Sequence, residues 1–306
     1  MASVVPSGTI EAPQEIHFVG AEELPEQVTL WQDAWRRLRR NRFSVIGLVI
    51  IGLFLATALI SFVWTPYPIW RQALGPTYQG PTLIHPFGLD DYGRDILSRV
   101  MGGAGIALSV GVGASLIASI IGIVLGLTAG FYRGKIDVAI SLLINISYGV
   151  PDLLLALILV VLVGRGIQNI ILAISITAWL GMARLVRGQT LALREREFVE
   201  AARSIGTKNV QILARHILPN ALGPIVVQAT YLVPAAIIFE AFLSLLGLGV
   251  PPPAPSWGAM ASEGYKALQL APHIVLFPCA ALSLTVLAFN WVGDGLRDAI
   301  DPRMRK

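Results

Sequence analysis

Two carboxylates, Asp152 and Glu240, stand inside otherwise apolar stretches of this 306-residue chain. An ionised carboxylate at the middle of a bilayer costs roughly 2.5–3.5 kcal/mol on insertion scales, so each must face protein or water. Tyr148 lies near Asp152, Gln228 and Tyr231 precede Glu240, and Asn290 sits in the last apolar stretch. These residues either line a path for a polar solute or hydrogen-bond neighbouring helices, and their spacing leaves both readings open. They are not arranged to make or break bonds. The chain has no nucleophile elbow, no HExxH and no paired carboxylates. Gly134-Lys135-Ile136 and Gly206-Thr207-Lys208-Asn209 lack the upstream glycine, the Ser/Thr after Lys, or both, of a phosphate-cradling loop. The chain is therefore read as no enzyme, binding neither nucleotide nor other cofactor. His85, Asp90, Asp91 and Asp95 suggest a metal site, but their spacing repeats no ligand pattern. Glycine turns and an Asp cap before a helix at Ile96 account for the same residues. Uphill transport would draw its energy from another chain or an ion gradient.

The elements that must position these side chains are membrane spans. The chain is 55% hydrophobic and only 14% charged, against about 25% charged in soluble domains. No Asp, Glu, Lys or Arg occurs between Arg99 and Arg133, between Arg215 and Glu240, or between Lys266 and Asp294. With about 20 apolar residues needed per crossing, six spans are predicted: 44–64, 105–131, 138–163, 167–187, 222–247 and 272–293. The first is read as an anchor, because the segment before it is too long for a cleaved signal. All but five of the 23 Lys and Arg fall in the N-terminal tail, the C-terminal tail or alternate loops, the exceptions being Arg71, Arg94, Arg99, Arg165 and Lys266. The positive-inside rule then puts both termini in the cytoplasm. The net charge of +4 reflects that bias, and no nucleic-acid surface is expected. The single cysteine, Cys279, allows no intramolecular disulfide and is read as a small apolar residue.

Residues 1–43 form a cytoplasmic segment: a polar tail expected to be disordered, then Trp31 to Arg40, an amphipathic helix suited to the lipid interface. Residues 44–104 hold the first span and a long outer segment, and 105–306 the remaining bundle. Glycines of the second span (Gly102, Gly103, Gly105, Gly111, Gly113, Gly122, Gly126, Gly130) permit close helix approach. Pro151 and Pro234 mark possible kinks. The proline-rich stretch 247–258 is expected to re-enter or cap the outer mouth.

Between the fourth and fifth spans lies a charged insert, 188–221, that reads as helix, turn, helix. A helix is predicted from Arg194 to Ile205, with Gly206 at a position tolerating positive φ, and helix resumes from Asn209 to Ile217. Phe198, Ala201, Ala202 and Ile205 share one face. The mixed charges around them suit a protein groove better than anionic lipid.

Glu200-Ala201-Ala202, then Gly206, then His216-Ile217-Leu218-Pro219 resemble the cytoplasmic "EAA" loop of bacterial ABC importer permeases. His216 stands where the general pattern has Ile, as in the dipeptide/oligopeptide branch. His85-Pro86-Phe87-Gly88, the run from Glu240 to Gly249, Pro255-Ser256-Trp257-Gly258 and Gly293-Asp294-Gly295 resemble that branch too. Gly105 departs from it, since relatives often carry Arg there. The resemblance implies an all-α polytopic protein with the type I ABC importer (MetI-like) permease fold. It also implies a second homologous permease, two cytoplasmic ATPases that carry the ATP and Mg, and an extracytoplasmic binding protein. Glu200, Ala201, Ala202, Gly206, His216, Leu218 and Pro219 would couple to an ATPase. The cargo would be di- or oligopeptides, with nickel, glutathione or oligosaccharides as alternatives. An ion-driven carrier or channel using Asp152 and Glu240 would leave the insert unexplained.

Overall fold

The computed structural model describes residues 30–300, and every regular element among them is helical. The expected disordered tail and the basic residues Arg303, Arg305 and Lys306 lie outside the described residues.

Helix α1 (Leu30–Arg40) lies against the last helix of the chain through buried Ala34 and Leu38, leaving Trp35, Arg36, Arg39 and Arg40 exposed. Asn41 separates it from α2 (Arg42–Val63) and caps α2 by accepting from the backbone N–H groups of Phe43 and Ser44. Helix α2 is apolar all round and only sparsely buried, as expected of a span facing lipid on most of its surface.

Helix α3 runs unbroken from Ile96 to Tyr132. Asp95 starts it by accepting from the Ser98 N–H at 2.8 Å. At 37 residues it is about 56 Å long and overshoots a hydrocarbon core of about 30 Å. The second span therefore starts nine residues before the predicted 105, because Arg99 and the glycines around it disguised the first turns. The predicted third span, 138–163, is two helices, α4 (Gly134–Tyr148) and α5 (Asp152–Val163), meeting at 88°. Pro151 cannot donate to the α4 ladder, and Gly149-Val150 turn the chain before it. Pro234, by contrast, lies inside a continuous helix.

Helix α6 (Ile167–Arg194) extends a further two turns beyond the predicted 187. Two short helices follow, α7 (Glu197–Ser204) and α8 (Asn209–Ile212), then a π-turn at Leu213–Ile217 leading into α9 (Leu218–Leu245). After the proline-rich loop come α10 (Trp257–Tyr265) and α11 (His273–Ile300). Among the described residues five helical stretches are long and apolar enough to cross a membrane, and the number is six when the bent α4–α5 pair is counted as one broken span.

The bundle is built on α3. Gly122, Gly126 and Gly130 lie on one face of it, and a Cβ on any of them would come within 2.6 Å of Met182, Ala183 or Thr190 on α6. Since these contacts advance together along both helices, α3 and α6 run parallel with their backbones nearly touching. Gly111 is equally tight against Ile237 of α9, and Gly103 against Trp257 of α10, whereas Gly105 meets Phe62 and Ser61 of α2 no nearer than 3.7 Å. At one end the C-termini of α3, α6 and α11 gather with α1, α7 and α8. At the other lie the start of α3, the segment 65–95, α10 and the start of α11.

Candidate functional site

The end that gathers the C-termini carries the charged insert. Its first helix starts at Glu197, not Arg194, because the chain breaks at Glu195-Arg196 and Arg194 closes α6. The Arg194 guanidinium donates to the Phe131 carbonyl at the end of α3, and it and Arg203 lie 5.8 and 5.4 Å from the Phe131 ring centroid. Val199 and Ala202 are buried in a cluster with Phe131, Ile212 and Ile217. Ala202 thus belongs to the inward face of α7, while Phe198, Ala201 and Ile205 point outward; Ile205 is 84% exposed. Glu200 is exposed beside them. Helix α7 ends as the sequence implied: Gly206 has φ +79°, its N–H bonds to the Arg203 carbonyl, and the Thr207 N–H bonds to that of Ala202. That paired closure needs a left-handed residue, hence glycine.

The second half of the insert is shaped by Pro219. Lacking an N–H, it would clash with a carbonyl four residues back in a regular helix. The turn before it widens to π geometry over Leu213–Ile217, and the Leu218 N–H reaches the Leu213 carbonyl. His216 and Leu218 are half-buried and Pro219 is exposed. The Asn220 side chain caps the His216 carbonyl at 2.6 Å.

A cavity of about 200 Å³ opens inside the bundle, where the α4–α5 bend faces α6 and α9. Tyr148 and Asp152 line it from the two sides of the bend. Thr177 and Gly181 of α6 and Phe239 of α9 complete the opposing wall. Gly181 draws Tyr148 and Gln228 close: a Cβ there would lie 4.0 Å from the Tyr148 hydroxyl and 3.8 Å from Gln228 Nε2. The Arg184 guanidinium stacks 4.3 Å from the Tyr148 ring centroid, a contact the sequence did not signal because the partners are far apart in the chain. Another is the paired bond from Arg187 Nε and Nη2 to Asp137, at 2.5 and 2.8 Å, which fastens α4 to α6.

The other residues considered for a path are held elsewhere. Tyr231 donates to Asp294 at 2.5 Å, tying α9 to α11. Asn290 is half-buried on α11 and does not line the cavity. Glu240 is 1% exposed. Its Oε1 accepts from Ser244 at 2.6 Å and from Ser256, the N-cap of α10, at 2.8 Å. Of the two readings the sequence left open, this geometry is that of a clamp between helices. It docks α10 on α9, so the proline-rich loop closes back on the bundle.

The end opposite the insert is also clamped. Arg94 reaches Asp90 at 2.6 Å, Glu263 at 2.9 Å and Asp91 at 3.4 Å, with buried Arg99 3.6 Å from both Asp90 and Glu263. Asp90, Asp91 and Glu263 come close enough to chelate an ion, but the two guanidiniums already supply the positive charge there. His85 pairs with Asp95 at 3.0 Å, and Asp95 is also the cap of α3. Burial first, then the charges of Asp90 and Glu263, push the Asp91 carboxyl above its usual range, against the pull of Arg94.

Residues 122–306 match the family of binding-protein-dependent transport system inner membrane components, and residues 29–81 match the N-terminal transmembrane domain of oligopeptide transport permease C. The chain is 41% identical to the oligopeptide transport system permease protein OppC of Bacillus subtilis, over 99% of both chains. It is 44% identical to the dipeptide permease protein DppC of the same organism, over 90% of this chain and 86% of that one. Identity is also 44% to the glutathione permease protein GsiD of Escherichia coli O157:H7, over 92% and 93%. Among solved structures, inward-facing forms of the MetNI methionine ABC transporter share the fold. One aligns with TM-score 0.55 at 22% identity, over 67% of this chain and 98% of that one. Five or six apolar helical stretches, a charged insert at one end and these matches over nearly the whole chain agree: the protein belongs to the family of binding-protein-dependent transport system inner membrane components, as a multi-pass permease subunit.

Proposed function

We propose that this chain is one of two homologous permease subunits of an ATP-driven importer that moves di- or oligopeptides across the cytoplasmic membrane. Two cytoplasmic ATPases carry the nucleotide and Mg, and an extracytoplasmic binding protein delivers the cargo. The observation that carries the coupling role is the outward face of α7. Phe198, Ala201 and Ile205 are apolar and exposed among the described residues, with Glu200 beside them, on a helix whose other face is packed on the end of α3. Such a face suits a groove in a soluble partner. Eighteen of the 23 Lys and Arg belong to the tails and to the loops on the side of the insert in the sequence, and the positive-inside rule supports a cytoplasmic α7 and cytoplasmic chain ends. ATP-driven closure of the ATPases would then rock the bundle as a rigid body.

Peptide cargo is supported by the names of the oligopeptide and dipeptide relatives. Glutathione is the second reading, favoured by the GsiD relative, and differs little in chemistry, being itself a small peptide. The test is reconstitution with the partner subunits, assaying ATP hydrolysis and uptake with each cargo. Ile205→Asp places a charge on the outward face without touching the packed one. It is expected to abolish uptake and cargo-stimulated ATP hydrolysis, while the chain still inserts and pairs with the second permease. Normal uptake by that variant would overturn the coupling role.

A further inference from the structure

The Asp152 carboxylate has no hydrogen-bond or ion-pair partner among the described residues, although it sits within the bent crossing. Glu240 shows what this chain does with a carboxylate kept for structure: it is buried and given two hydroxyl donors. Asp152 is left instead on the wall of a cavity of about 200 Å³, room for six or seven waters at about 30 Å³ each. Asp152 is exposed in the single chain, so water can solvate the carboxyl in place of a protein partner. No basic residue lines the cavity. The nearby Arg184 is engaged on the Tyr148 ring and makes no ion pair with Asp152. The charge is unspent.

We propose that Asp152 is a binding group for the cationic amino group of the cargo as it passes between the α4–α5 bend, α6 and α9. The rest of the wall fits this use. Tyr148 and Phe239 offer aromatic faces, which attract ammonium groups and accept apolar side chains alike. Thr177 and the nearby Gln228 can hydrogen-bond amides. A free divalent transition metal is a poorer match, since a single carboxylate without His or Cys falls short of its usual ligand set. The 88° break places the group: Pro151 ends the α4 ladder, so residue 152 starts a new helix whose axis turns across the bundle. The site rests on the peptide reading above but adds to it a sign of charge and a point of contact.

The test uses the assembled transporter in proteoliposomes with its binding protein, and trialanine as cargo. Asp152→Asn is expected to slow uptake about tenfold, the order of one lost charge-assisted bond, and Asp152→Glu to retain most of it. In a Cys279→Ser background, Asp152→Cys is then treated with 2-sulfonatoethyl or 2-aminoethyl methanethiosulfonate, the parent serving as control. Restoration by the anionic reagent alone supports a charge-specific contact. Wild-type rates in the Asn variant, or equal effects of both reagents, overturn it. Failure of the wild-type complex to take up trialanine overturns the peptide reading, and this inference with it.

Discussion

The end of this permease that carries the Arg94 network is finished within one chain, whereas the cavity wall and the end that carries α7 are not. At the first, Arg94 and Arg99 are shared among Asp90, Asp91 and Glu263, His85 pairs with the cap of α3, and Glu240 takes both serine hydroxyls at the root of α10. Away from it, Asp152 lines a cavity without a hydrogen-bond or ion-pair partner among the described residues, and α7 turns Phe198 and Ile205 outward. Polar groups within a bilayer or a buried contact are normally satisfied. Where a chain spends residues on satisfaction it is fixing geometry, and where it withholds them it is leaving room for something that arrives later.

That contrast can be broken most forcefully at Arg94. Replacing it with Ala would leave Asp90 and Glu263 only the longer 3.6 Å contacts to Arg99, and removing one partner of a buried charge cluster typically costs about 3–5 kcal/mol. The loss should appear as a large fall in melting temperature of the detergent-solubilised subunit; an unchanged melt would mean the network is ornamental. Glu240→Ala comes next, at about 2–3 kcal/mol, because two buried hydroxyls lose their acceptor. Asp152→Ala should barely move the same melt, and matching losses at 240 and 152 would erase the distinction drawn between the two carboxylates. Ile205→Asp, expected to abolish coupling, should stay within about 0.5 kcal/mol in stability, as exposed positions usually do. The smallest effect is expected at Asp91. Its carboxyl titrates above the ordinary 3.8, so its contribution is fully present below 3.8 and is lost as pH rises through the elevated value. Ionised at neutral pH it is a slight burden. Asp91→Asn should raise the melting point by on the order of 1 °C, with the gain vanishing as the medium is acidified towards 3.8. A gain that persists in acid would show that charge is not the cause.

The spans were legible because apolar runs without charge admit few other readings, and the positive φ of Gly206 because a helix that stops before a second helix needs a left-handed residue. Local rules reached the cap at Asp95 and the turn at Pro151. They did not reach the angle at that turn, since 88° is set by what α6 and α9 leave free. Nor did they separate Asp152 from Glu240. Ser244, four residues after Glu240, was a local hint, but Ser256 comes from beyond the proline loop and only folding brings it close. The same holds for Arg94 with Glu263 and Arg187 with Asp137, pairs 169 and 50 residues apart. On α7 the pattern gave the apolar side but not its dividing line, because Ala202 was claimed by Phe131 and Ile212.

The glycine seam between α3 and α6 has a mechanical consequence. Two parallel helices with nearly touching backbones resist sliding and bending far better than either alone, since any shift drives backbone into backbone. Their tips beside α7 are tied to each other through Arg194 and Phe131, Phe131 packs on Val199 and Ala202 of α7, and the far tip of α3 is the capped start beside the Arg94 network. The pair is thus a stiff strut spanning the whole membrane. A push delivered to α7 arrives at the opposite surface as displacement rather than being absorbed on the way, and Gly126→Leu would make that strut two loose rods.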